Sequence, residues 1–258
     1  MTRGSAVRVG TAGWSIPRAA GAAFPIGGTH LERYARVMEA VEINSSFHRP
    51  HQASTYERWA AAVPDAFRFA VKVPKVITHL SRLRDAGLHL DRFLAEVSGL
   101  GGKLGPLLVQ LPPSLAFEAE TAEGFLRDLR ARVGSPVACE PRHASWFAPE
   151  VEALLAELRI GRVAADPAPV PEAGRPGGWE GLTYLRLHGS PRIYHSAYDE
   201  EAIRAAAAAL AARAAEFSEA WCIFDNTASG AAMTDALRAR EILRGGPAAT
   251  GHGPRVPT

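Results

Sequence analysis

The chain has 258 residues, 29 basic and 27 acidic side chains and a net charge of +2, with 47% hydrophobic and 22% charged residues. This is the balance of a globular protein; it excludes disorder as the main state, and the near-neutral charge is too balanced to indicate nucleic-acid binding by itself. No run approaches the ~20 apolar residues of a membrane helix. The first residues lead into Val7-Arg8-Val9-Gly10 without the apolar segment of a secretory signal, so a cytoplasmic location is expected. Cys139 and Cys222 sit in separate apolar runs and read as buried free thiols.

Strands are predicted at 7–13, 40–47, 67–73, 106–112, 136–141, 161–166, 182–188 and 220–225, from short β-branched or apolar runs. Helical segments fall between them: 29–39 with Thr29 as N-cap, 52–62, 87–100, 119–132, one opened by Pro149, one opened by Asp199, and a last one beginning at Thr227 or Ser229. Strand and helix alternate, which predicts a parallel sheet. Eight such units in about 240 residues predict a single TIM-like (β/α)8 barrel over 1–244. A long connection after strand six, 167–181, is too rich in Pro and Gly for a packed helix and reads as a lid or a loop in a helix's place. Residues 245–258 read as a disordered C-terminal tail.

A barrel builds its site at the C-terminal ends of its strands, from side chains that alternate inward. Those ends carry Glu42 and Asn44, Lys72, Gln110, Glu140 followed by Arg142 and His143, Asp166, Arg186 and His188, and Asp225-Asn226. No comparable set is expected at the opposite end. Glu42, Lys72, Glu140, His143 and His188 are the candidate catalytic groups. Asn44, Gln110, Arg142 and Arg186 are candidate ligand contacts. Gly189, Ser190, Asn226 and Thr227 follow strands seven and eight, where barrels hold phosphate, and Tyr194 and Tyr198 lie in the same loop. Lysine occurs only at 72, 75 and 103, which makes Lys72, inside an apolar run, stand out; Lys75 and Lys103 read as solvated charges.

Seven ordered strings, GTAGWS (10–15), VEINSSFHRP (41–50), FRFAVKVPKVITH (67–79), LGPLLVQLPPS (104–114), CEPRHASWF (139–147), YLRLHG (184–189) and FDNTASGAAMTDAL (224–237), resemble the domain of unknown function 72 (DUF72) family, the YecE-like proteins. The resemblance runs from about residue 7 to 243. It implies a TIM-barrel-like fold and no established biochemical activity. It also carries the family's recurring polar positions onto Glu42, Asn44, Lys72, Gln110, Glu140, Arg142, His143, Arg186, His188 and Asn226. Two departures stand out: His48 where a tyrosine is usual, and Asp225-Asn226 where an Asn-Asn pair is usual.

The sequence thus favours a barrel enzyme or binding protein for a small anionic ligand, phosphate-bearing molecules among them, with Glu42 or Glu140 as acid or base and His188 or His143 as proton donor or acceptor. A Lys72 Schiff base is a minor variant of this reading. No cofactor is indicated. One alternative is metal-dependent phosphodiesterase, nuclease-like or sugar chemistry on Glu42, Glu140, Asp166 and His188, although no close-spaced ligand pair supports a metal. Another is a non-catalytic nucleic-acid binder using arginines with Trp14, Trp146 and Trp179.

Overall fold

A computed structural model describes residues 7–215 and 219–245; the expected tail lies almost wholly outside these residues. In chain order the first half comprises β1 (Val7–Thr11), α1 (His30–Ala35), β2 (Ala40–Ile43), α2 (Ser45–His48), α3 (Ala53–Ala61), β3 (Arg68–Lys72), α4 (Gly87–Val97) and β4 (Leu104–Gln110). The second half comprises α5 (Ala119–Arg132), β5 (Val137–Glu140), α6 (Pro149–Glu157), β6 (Ile160–Arg162), β7 (Ala164–Asp166), β8 (Gly177–Gly178), β9 (Leu182–Leu187), α7 (Glu200–Ala215), β10 (Glu219–Phe224) and α8 (Ala231–Leu243). Local signals set several helix starts. Thr29 and Glu32 form a reciprocal capping box before α1, and Pro149 opens α6. The last helix begins later than expected, at Ala231, behind Gly230 at φ 82°.

The strands form a TIM-like barrel of two parallel ladders. One runs β2-β3-β4-β5-β6 and the other β7-β9-β10-β1. The sixth predicted strand joins them. It breaks at Val163, so that β6 pairs with β5 while β7 pairs with β9. The other seam is a single bridge between Ala12 and Glu42, with Gly13 N–H donating to the Glu42 carbonyl at 2.8 Å. Glycine is required there: a Cβ on Gly10 would stand 2.3 Å from the Ala40 carbonyl oxygen.

Alternation along each strand separates two cores. The outward set, including Val41, Val71, Leu107, Val109 and Cys139, packs under Phe93, Leu126, Leu155 and Leu210 of the helices. The inward set is small on one side (Ala40, Ala70, Ala138) and large on the other, where Tyr184 stacks on Trp221 at 6.0 Å. Gly105 makes room for that indole, since a Cβ there would lie 2.8 Å from it. Both cysteines are buried and free.

The 167–181 connection takes the place of a helix rather than forming a lid. Its β8 pairs antiparallel with β6 on the outer side of the barrel. Buried Arg162 pairs with Glu152 and donates to the carbonyls of Glu172 (3.0 Å) and Arg175 (3.1 Å). Two charge expectations are corrected. Lys103 is not a solvated charge: its ammonium caps the end of α3 by donating to Ala60 O and Val63 O. The N-terminal end of the barrel is also not free of charge, for it carries Arg8, Arg68 and Glu219.

Candidate functional site

Inward alternation brings Glu42, Lys72, Gln110, Glu140, Arg186 and Asp225 to the C-terminal end of the barrel, followed by His188 one inward position beyond β9. Arg186 is the centre. Its Nε donates to Glu42 Oε2 (3.0 Å), Nη2 to Glu42 Oε1 (2.7 Å) and Asp225 Oδ2 (3.0 Å), and Nη1 to Glu140 Oε2 (2.6 Å). The planar fork of donors allows one buried cation to serve three carboxylates. Tyr184, two residues earlier on the same face, donates its hydroxyl to Glu42 Oε2 at 2.8 Å.

Glu140 Oε1 gathers a second set. It accepts from Gln110 Nε2 (3.2 Å) and from Arg142 Nε (3.0 Å) and Nη2 (2.8 Å), and faces His188 Nε2 at 3.2 Å. His188 Nδ1 is 3.0 Å from Asp225 Oδ2, and its Nε2 is also 3.3 Å from Arg142 Nη2. As an imidazolium the ring donates to both carboxylates. As the neutral Nδ1–H tautomer it keeps Asp225 and accepts from Arg142. One ring position therefore serves both protonation states, which is what a proton-transfer group needs.

The electrostatics follow from burial and then from charge. Burial alone would raise the Glu140 carboxyl, but Arg186, His188 and Arg142 together hold it well below the usual range. Asp225 is likewise raised by burial and brought below its ordinary value by Arg186 and His188. Burial would strip the proton from His188, yet Glu140 and Asp225 raise its pKa on balance. Lys72 goes the other way. Burial and the neighbouring Arg186 outweigh Glu42, Glu140 and Asp225 and lower it to about 8. Lys72 is only 8% exposed, and among the described residues its ammonium forms no hydrogen bond or ion pair. Its neighbour is the face of Phe47, with Nζ 4.2 Å from the ring centroid.

The remaining predicted residues are more dispersed. His143 is not in the cluster: its Nδ1 caps the short turn 144–147 through Ser145 N (3.2 Å) and Oγ (2.9 Å). Its parity is opposite to that of Glu140 and Arg142, which explains the correction. Asn44 lies above Glu42, with its Oδ1 buried and without a hydrogen-bond partner. Asn226 points away from the barrel interior, donating Nδ2 to Asp235 Oδ2 (2.7 Å) and Ser196 O (2.9 Å); its inward neighbour Asp225 holds the cluster position instead.

The loop expected to cradle phosphate is largely self-satisfied. Gly189 N–H donates to the Tyr198 hydroxyl (2.9 Å), which itself donates to Asp166 Oδ2 (2.7 Å), and Ala228 N–H donates to the Tyr194 carbonyl (3.0 Å). Those two backbone donors are therefore not free for an anion. Ser190 precedes a cis proline and is half-buried, and Thr227 is exposed and accepts from Gly230 N–H. The Tyr194 ring stands edge-on to His188 at 6.0 Å. Asp166 is tied to Tyr198, apart from Glu42 and Glu140. The Arg186 guanidinium occupies the point where the carboxylates converge, and among the described residues no group of three or more His, Cys, Asp or Glu side chains is arranged to hold a metal. Trp146 is fully buried and donates to Leu115 O, so it is not a stacking platform for bases.

Four participants were not among the candidate catalytic or ligand-contacting residues read from sequence: Asp225, Tyr184, Phe47 and His79. Strand parity was available for the first two, since Asp225 follows Trp221 and Ile223, and Tyr184 precedes Arg186, on the inward face. The others come from packing. His79 lies edge-on to Phe47 at 4.9 Å, and its pKa is lowered by burial, then by Lys72 and Arg142.

A family model described as protein of unknown function DUF72 matches residues 8–257. The chain belongs to the DUF72 family. This DUF72 chain is 31% identical over 176 residues to UPF0759 protein YecE of Escherichia coli (strain K12), covering 66% of this chain and 62% of YecE. It is 29% identical over 126 residues to UPF0759 protein YunF of Bacillus subtilis (strain 168), covering 46% of this chain and 44% of YunF. Two solved DUF72 family proteins share its fold. That of Enterococcus faecalis V583 has a TM-score of 0.79 at 21% identity, covering 98% of this chain and 100% of that one. That of Thermotoga maritima MSB8 has a TM-score of 0.76 at 23% identity, covering 92% and 99%. Among the described residues no helix is long and apolar enough to cross a membrane.

Proposed function

We propose that the C-terminal mouth of this DUF72 barrel binds a small anionic molecule, phosphate-bearing compounds among them, and presents it to acid–base chemistry by His188 and Glu140. Arg186 is the fixed counter-ion shared by Glu42, Glu140 and Asp225 inside the barrel. Arg142, whose side chain is 21% exposed, and Lys72 are the cations that meet the ligand.

The observation that carries this reading is the unmatched charge of Lys72. The mouth holds Arg142, Arg186, Lys72 and a readily protonated His188 against three carboxylates, and those carboxylates are already engaged by the other three cations. A nearly buried ammonium without a counter-ion is destabilising, by roughly 3 kcal/mol for a lysine lowered to about 8. An incoming anion would remove that penalty.

Calorimetric titration with inorganic phosphate, sulfate and short carboxylates tests the reading. At least one anion is expected to bind in a salt-sensitive manner, at least tenfold more weakly to Lys72→Met and Arg142→Met. Absence of binding by every anion, or equal affinity in the wild type and Lys72→Met, would overturn it.

A further inference from the structure

We propose that Lys72 is a nucleophilic amine that captures the carbonyl carbon of the ligand as a Schiff base, which narrows the ligand to small ketones or aldehydes bearing a carboxylate or phosphate. The inference rests on the anion-binding reading and deepens it.

Lys72 stands on the inward face at the end of β3, at the same barrel end as Glu42, Gln110 and Glu140. A lysine that served only to fill the barrel would be expected to pair with a carboxylate. Here the carboxylates within electrostatic reach, Glu42, Glu140 and Asp225, all accept hydrogen bonds from Arg186. Desolvation beside another cation is the environment that leaves an amine partly neutral and reactive near pH 8. The Phe47 face lies over the nitrogen at 4.2 Å and suits a cation both before and after reaction, because an iminium keeps the positive charge. Lys75 and Lys103 lack this setting. The first is exposed, and the second donates to two backbone carbonyls.

The step needs no redox partner. The Lys72 ammonium loses a proton to the His188–Glu140 pair or to water, and its lone pair forms a C–N bond as the carbonyl π pair moves to oxygen. That oxygen takes a proton and the nitrogen loses its second one, which restores the nitrogen lone pair and gives a neutral carbinolamine. The nitrogen lone pair then forms C=N while the C–O bond breaks, and the oxygen leaves as water after taking a second proton. Ammonium and carbonyl compound have become iminium and water.

The chain contains only three lysines, so the test has internal controls. The full chain is incubated with pyruvate, and separately with dihydroxyacetone phosphate, in the presence of cyanoborohydride, then digested and its lysines are compared by mass spectrometry. A reduced adduct is expected on Lys72 in at least tenfold excess over Lys75 and Lys103. It should disappear in Lys72→Arg and diminish when inorganic phosphate competes. The ketone that reacts distinguishes a carboxylate from a phosphate preference. No adduct on Lys72 with either ketone, or equal labelling of the three lysines, overturns the proposal, and the wild-type digest alone decides this if the variant fails to fold. The phosphate titration run in parallel separates the two readings: binding without an adduct overturns the Schiff base alone, whereas neither binding nor adduct overturns both.

Discussion

The two ends of the barrel hold similar side chains in different ways. At the N-terminal end Arg8 and Glu219 lie 3.7 Å apart. Arg8 also donates to Ala66 O, Arg68 donates to the carbonyls of Asp65 and Phe67, and Trp221 donates to Glu219 Oε1 at 2.9 Å. These groups bond mostly to backbone carbonyls or to a single neighbour, and none of them is shared among several charges. At the C-terminal end one buried guanidinium is shared by three carboxylates, a histidine lies between two of them, and a lysine remains over. Charge at a barrel end is therefore a poor marker of function. Mutual dependence, and a buried charge without a partner, mark it better.

The largest break in this comparison is Arg186→Met. It leaves Glu42, Glu140 and Asp225 buried with only His188, Arg142 and Lys72 to offset them. Loss of one partner from a buried ionic cluster typically costs about 3–5 kcal/mol, so urea unfolding at pH 7 should show a loss of at least that order. Glu42→Gln in the same chain should recover part of it, because it removes one of the stranded charges. A loss below about 1 kcal/mol would show that the cluster is no more coupled than the opposite end.

Gly105→Ala comes next, because it strikes the layer that insulates the two ends. The new methyl would press on the Trp221 ring, which Tyr184 backs from the other side. Overpacking of this kind costs typically 1–3 kcal/mol. The same unfolding measurement checks it, and an unchanged midpoint would mean that the interior layer yields easily.

A smaller effect is the pH dependence. Glu140 and Asp225 are held below their ordinary pKa values, so their contribution is present above about pH 4.5 and is lost as pH falls through their folded values. His188 is raised, so its contribution is complete below about pH 6.5 and is lost as pH rises through its folded value. Lys72 opposes it at higher pH. Lowered to about 8 from an ordinary 10.5, it makes the folded state more stable as pH rises between those two values. Stability should pass through a shallow dip on the alkaline side, with Lys72→Met removing the recovery and His188→Gln removing the preceding fall. Melting profiles from pH 4 to 10 would reveal both, the Lys72 recovery being on the order of 3 kcal/mol.

Most of this arrangement was legible from a single rule, the period-two alternation of strands. It placed Glu42, Lys72, Gln110, Glu140, Arg186 and His188 on one face and, applied strictly, would have exchanged His143 and Asn226 for Tyr184 and Asp225. The break at Val163 was not legible, because the run 161–166 has no proline or glycine at its middle to mark an interruption, and only the barrel's geometry decides where β5 gives way to β9 as its partner. The loop after β9 misled for a different reason. Its small residues permit an anion, but Tyr198 reaches back across nine residues to claim the Gly189 N–H, and such a contact has no local sequence signal. Phe47 and His79 belong to the same class, since Phe47 meets Lys72, and His79 meets Phe47, only through packing.

The smallest effect is expected at the opposite end, from Arg8→Ala. Its guanidinium is 3.7 Å from Glu219, too long for a hydrogen bond, and its buried Nε has no hydrogen-bond partner. Burial lowers the pKa of the guanidinium more than Glu219 restores it. What the side chain contributes is the bond to Ala66 O and its apolar stem beside the Trp221 ring, 5.8 Å from the guanidinium carbon. Removing it should cost about 1 kcal/mol or less, largely independent of salt. The contrast with Arg186→Met is then severalfold in free energy for two arginines on inward faces of the same barrel. If Arg8→Ala instead matched Arg186→Met, inward placement alone would set the energy, and the argument that a shared counter-ion distinguishes the mouth would fail.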